Sequence, residues 1–425
     1  MNQNRSIAIL LFFIVLFSFW SCSEDDGVIV GPNQPPEIVF TFTKAAVPRG
    51  TIQELTVSVS DPDDDLLDVT WQVSRGSLDP GDQGDPQMTW TVPNTVGLDT
   101  IWVSVSDGQS TRSIMETMTV GFPFSGINLN GTWEASFNPV VLTTPGSPPR
   151  LAVPWLSTFR IEEGVTIYVP ENLTFDVAGT MEAVGTASDL VVFKPNHREP
   201  ERGFWEGFLV SSDADSHATP GSVDMVYTRI THGINNIKLT SGASARLDHC
   251  QLLFSQQEGI LHGSAGYLVL VGCVVNDNQG NGITVESIAT KPDSVHIGNS
   301  EIKFNGQAGV KIDINDPDGT VPFSINGNDI TWNNSHGIYL VHAVYPVINQ
   351  NAIYANELLV ADPARRRNMR LELGFIGNLP EINAEDNYWL TTDSLIIDQT
   401  IFDWRDAPSQ INTVVRFWKW LDTWP

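Results

Sequence analysis

Cysteine is scarce in this chain, which has 3 cysteines in 425 residues. Beyond Cys22 only Cys250 and Cys273 remain, and two thiols without a fitting set of histidines are a poor basis for a metal site. Basic residues are also few: 23 Lys and Arg stand against 50 Asp and Glu, a formal net charge of -27. Phosphate backbones attract basic surfaces, so this balance argues against a nucleic-acid partner. The same repulsion opposes an acidic polysaccharide unless cations or a local basic patch intervene. Arg365, Arg366 and Arg367 with Arg370 are the one basic cluster along the sequence, read as a solvated loop or as a contact for an anionic glycan or lipid headgroup. Nucleophile arrangements are missing as well, since the sequence holds no G-x-S-x-G and no Cys-His pairing. His249, His296, His336 and His342 share no ligand spacing, and His232 and His262 read as inward, packed positions.

What the sequence has is a repeat. NSEIKFNGQAGVKIDI from Asn299 matches NDITWNNSHGIYLV from Asn328, and the pattern extends to copies starting at Thr228, Cys250, Cys273, Ser300, Asn328 and Asn351, a period of 22 to 28 residues. Two places on stand Ile230, Leu252, Val275, Ile302, Ile330 and Ile353; Asn278, Asn305, Asn333 and Asn356 recur five places on. Gly259, Gly282, Gly309 and Gly337 then lead into short alternating segments. Alternation of period two means strand, and strands at this period mean a solenoid of stacked coils. The Asn row is expected to stack at a bend and satisfy backbone groups there. Cys250 and Cys273, at the first repeat position, read as buried thiols, with a disulfide as the other reading.

On these residues the chain resembles the right-handed parallel β-helix proteins. FRIEEGVTIYVPENLTFDVAGTMEAVGTASDLVVF (159–193) is similar to the first coils of bacterial members, FWEGF (204–208) to the element that follows, and NYWLTTDSLIIDQTIFDWRDAP from Asn387 to a closing element, with Leu390 in place of its usual glycine. The resemblance covers 130–425 and implies fold rather than chemistry, because that fold carries lyases, hydrolases and adhesins alike. Residues 36–121 have a different texture, with alternating runs ELTVSVSD, DVTWQVS and TIWVSVSDG that resemble immunoglobulin-like β-sandwich modules of PKD and cadherin-like type. Clustered carboxylates can hold a hard cation, so Asp61, Asp63 and Asp65 are candidate calcium ligands; an Asp-rich turn is the alternative.

The first 22 residues resemble a bacterial lipoprotein signal: a positive start, the 14-residue apolar run Ile7–Trp20, then Ser21-Cys22. That implies lipidation at Cys22, with residues 23–35 as an acidic, Pro/Gly-containing linker and display outside the cytoplasm on the outer membrane or cell surface. A monomer is expected.

For chemistry, the outward positions after the glycines place Glu286 beside Asp313, with Lys311 nearby. Two close carboxylates and a base could serve a polysaccharide lyase or hydrolase; the same residues also read as solvated surface. Glu301 and Asp329 form a similar pair near Lys303. The sequence therefore favours an all-β, lipid-anchored, non-catalytic module for glycan or cell-surface protein partners, with a polysaccharide-degrading enzyme as the alternative.

Overall fold

The computed structural model describes residues 32–425, except 144–145, 212–218, 264, 288–290, 343, 358–366, 373–380, 409–412 and 424–425. Cys22, its signal segment, Arg365 and Arg366 lie outside the described residues.

The chain is all-β, and most of it is a parallel β-solenoid. Each coil contributes one strand to each of three parallel sheets. Sheet I includes Gln251–Leu253, Val274–Asn276, Glu301–Lys303 and Asp329–Thr331. Sheet II includes Ile260–His262, Ile283–Ser287, Val310–Ile314 and Ile338–Leu340. Sheet III includes Ser244–Asp248, Tyr267–Val271, Ser294–Gly298 and Phe323–Asn326. Alternate residues of each strand point inward, so the repeat's apolar positions stack in register: Ile302 lies opposite Ile330, and Ile330 opposite Ile353. All three are fully buried.

The core changes character along the axis. Rings fill the early coils, where Trp133 and Phe159 meet at 4.9 Å, and Phe193 and Phe208 also at 4.9 Å. From Ile230 onward mainly Ile, Val and Leu occupy the interior. Edge-to-face ring pairs add stabilisation beyond area burial, while the aliphatic stack supports the regular later coils.

Before the solenoid, strands Glu37–Phe40, Ile52–Ser60, Gln87–Thr91 and Ser77–Leu78 form one antiparallel sheet, and Asp68–Val73 and Gly97–Ser106 belong to a second. Their inward residues, among them Trp71, Trp90, Val103 and Met88, share one buried cluster. The 14-residue strand Thr111–Phe124 joins the two parts. Residues 111–120 pair antiparallel with Gly97–Ser106, and residues 122–124 pair parallel with Val140–Leu142, the first parallel strand of sheet I. Ala46–Pro48 also pairs with this strand, and the Asn196 side-chain amide bonds the Ala46 backbone in both directions, at 2.8 and 3.0 Å.

Candidate functional site

In the coils from Tyr227 onward, two corners are built alike. At the corner between sheets I and II the residue before the ladder position adopts a left-handed conformation: His232, Phe254, Asp277, Phe304 and Trp332 have φ of 62, 58, 58, 55 and 61°. That reversal turns the next side chain into the interior. The buried amides then link coil to coil: Asn278 Nδ2 donates to Asn305 Oδ1 at 3.0 Å, Asn305 to Asn333 at 2.9 Å, and Asn333 to Asn356 at 3.0 Å. The same Nδ2 groups donate to core carbonyls, as Asn333 does to Ile302 at 3.0 Å. The glycines of the repeat make room for this ladder. A Cβ on Gly309 would sit 2.8 Å from Asn333 Nδ2 and 2.9 Å from the Gly337 carbonyl.

A second ladder at the corner between sheets III and I escaped the sequence reading. Cys273 N–H donates to Ser300 Oγ at 3.1 Å, Ser300 N–H to Asn328 Oδ1 at 2.9 Å, Asn328 to Asn351 and Asn351 to Asn387, each at 2.9 Å. Its signal was present, since the starting residue of each repeat is small or amide-bearing. Cys250 and Cys273 occupy this ladder as free, buried thiols, and burial raises the Cys250 thiol well above its ordinary range. Leu390 takes a left-handed φ of 66°, the conformation a glycine would adopt without strain.

On the outer face of sheet II, Glu286 stands directly opposite Asp313, and Thr284 opposite Lys311. Lys311 Nζ lies 3.3 Å from Asp313, whose other oxygen meets His342 Nδ1 at 2.6 Å. On sheet I, Lys303 sits between Glu301 and Asp329 at 3.3 and 2.6 Å. Thus Asp313, Glu301 and Asp329 each have a cationic or imidazole partner. Arg370 packs between the rings of Tyr339 and Phe402, at 5.7 and 5.6 Å.

The aspartate cluster near the start of the structure brings carboxylate oxygens of Asp61, Asp63 and Asp65 within 4.8 Å of one another. Asp61 Oδ1 accepts from the backbone N–H of Asp63 at 2.8 Å and of Asp65 at 3.2 Å, the bonding of an Asp-rich turn. Asp61 Oδ2 and Asn33 Oδ1 are buried acceptors without a protein partner. Partial burial and the neighbouring Asp61, Asp107 and Asp63 raise the Asp65 carboxyl. Oxygens crowded in this way are of the kind a hard cation takes up, and the same carboxylates also hold the turn.

The histidines divide. His262 is fully buried in the core, and burial lowers it to about 4. His232 corrects the sequence reading: it lies at the left-handed corner rather than in the core, its ring 5.3 Å from that of Phe254. Alternation counted across that corner assigns the wrong face.

His232 lines a groove that the sequence did not reveal, about 570 Å³ in volume, between the segment 194–200, the outer face of sheet I and Ala45. Lys194, Arg198, Arg229 and Gln251 also line it, and its lining contains no carboxylate. Arg198 is tied to Glu116 at 2.8 Å. Gln251 Oε1 accepts from Arg229 Nε at 2.7 Å, and Lys194 Nζ lies 4.6 Å from the Tyr168 ring. Neither Lys194 nor Arg229 has a carboxylate partner among the described residues.

No family model matches the chain, and no curated protein or solved structure matches it significantly.

Proposed function

We propose that this is a lipid-anchored, extracytoplasmic protein whose solenoid is a right-handed parallel β-helix serving as a non-catalytic binding wall for glycan or cell-surface protein partners. An immunoglobulin-like module of PKD or cadherin-like type acts as its spacer, in a monomer. The observation that carries the reading is the neutralised outer face. Lys303 occupies the space between Glu301 and Asp329, and Asp313 is engaged by both Lys311 and His342. Carboxylate oxygens held in that way are already engaged by protein partners, which leaves fewer of them for a substrate or a cation.

One observation favours an enzyme as a second reading: the contact between Asp313 and His342 at 2.6 Å adds an imidazole to the Glu286, Lys311 and Asp313 group. An acidic- or neutral-polysaccharide lyase or hydrolase would act there. The test is a glycan-array screen beside a polysaccharide-degradation panel, with and without calcium, on wild type, Glu286→Gln and Asp313→Asn. Binding without release of unsaturated or reducing ends is expected for all three proteins. Wild-type turnover abolished in both variants would replace the binding reading with the enzymatic one.

A further inference from the structure

We propose that the groove beside Lys194 and Arg229 binds a carboxylate-bearing glycan, whose neighbouring sugar rings continue along the aromatic corner of sheet I. The proposal rests on the binding-wall reading and gives that wall a place and a ligand class.

Charge makes the groove distinctive. In a chain of net charge -27, it gathers Lys194, Arg198 and Arg229 with no acidic lining residue. Arg229 lies opposite Val192, two residues before Lys194, so the two cations stand on neighbouring coils. Gln251 holds Arg229 Nε and thereby orients the guanidinium, whose terminal nitrogens have no partner among the described residues. A planar guanidinium presented this way suits a carboxylate, and the Lys194 ammonium supplies a second donor. His232 adds a buried Nδ1 without a protein partner.

The corner supplies the second half of the site. His232 and Phe254 line the groove. Phe304 and Trp332 hold the same corner position further along the axis and are 52% and 44% exposed. Asp277 occupies the coil between Phe254 and Phe304. Glycine would hold the left-handed corner without strain, yet these positions carry rings. The exposed rings of Phe304 and Trp332, on adjacent coils about 4.8 Å apart, present apolar faces to sugar rings, with Asp277 separating them from Phe254.

The ligand is a glycan rather than a uniform polyanion because Lys194 and Arg229, the cations of this face without a carboxylate partner among the described residues, are confined to one end. Past the groove the outer face carries Glu301 and Asp329 with Lys303 already paired between them, so it offers a densely charged chain no uncommitted cation. One or a few carboxylates on an otherwise neutral saccharide meet both halves.

The full chain would be titrated with aldotetraouronic acid, a single glucuronate on a short neutral xylan chain, and with its carboxyl-reduced counterpart. Circular dichroism would confirm that each variant is folded. The acid is expected to bind about tenfold more tightly than the reduced sugar, with affinity falling as salt rises. Lys194→Gln with Arg229→Gln should remove that advantage, whereas Phe304→Ala should weaken both sugars alike. Equal or absent binding of acid and reduced sugar, or an unaffected double variant, overturns the assignment. A neutral glycan or protein partner that ignores the double variant also overturns it while leaving the binding-wall reading intact. Cleavage of the uronate sugar would instead overturn the non-catalytic reading. In that case a tenfold rise of KM in the double variant supports the groove, and an unchanged KM counts against it.

Discussion

The buried amides are the residues on which the corners depend. Asn333 accepts from the Asn305 backbone N–H and side chain and donates to Ile302 and Asn356. Asn333→Ala strands those groups in a dry interior, where each unsatisfied group costs on the order of 1–3 kcal/mol. We expect a loss of about 3 kcal/mol in denaturant unfolding; a loss under about 0.5 kcal/mol would show the ladder to be dispensable. His262 has a different signature. Its folded value of about 4 lies below its ordinary 6.5 because the ring is buried. Between those values the unfolded chain binds the extra proton, so this contribution is complete above pH 6.5 and is lost as pH falls toward about 4. His262→Leu should flatten the fall of the urea midpoint across that window, and an unchanged slope would assign it to other groups. At the aspartate cluster, about 1 mM calcium should raise the melting temperature of wild type but not of Asp61→Asn. Equal behaviour of the two proteins would leave the cluster as a turn.

At the scale of strands and corners, much was legible in the sequence. Inward positions such as Ile302 and Ile330 repeat because a coil must bury the same face each time, and strict alternation exposes them. The glycines were legible as a pattern but not as a cause; only the approach of Asn333 to Gly309 shows why a side chain is excluded there. The groove was not legible, because Lys194 and Arg229 are 35 residues apart in sequence and meet only through the pairing of Val192 with Arg229. A run of arginines at 365–367 attracts the eye, yet a basic site assembled across coils leaves no local run. His232 was misplaced for a related reason: periodicity reports facing only while the strand continues, and the corner reverses it.

For the whole molecule, attachment is the first question. If Cys22 carries the anchor, Cys22→Ser should release the chain from membranes into the soluble fraction and change its mass; unchanged retention and mass would refute lipidation. The other question concerns the two parts of the structure, which are fastened over a broad front. Besides the Ala46 and Asn196 bonds, Arg49 packs over Phe122 at 4.0 Å and the Tyr168 hydroxyl meets Thr119 at 3.2 Å. Movement of the antiparallel part against the solenoid would have to break the Ala46–Asn196 bonds and the Thr119–Tyr168 contact.

That shared strand also bears on self-association. A stack of parallel strands ends in an unpaired row of N–H and C=O groups, an open template for another molecule's edge. Here residues 122–124 occupy that edge of sheet I, with Phe122 N–H donating to Pro139 O at 2.7 Å and Thr143 N–H to Phe124 O at 2.8 Å. Beside it, Ala152 N–H donates to Ile127 O at 2.8 Å, which closes part of the edge of sheet II. A chain shortened to begin after residue 130 should therefore pair through that uncovered edge, visible as dimers in sedimentation velocity, while the full chain shows no such association.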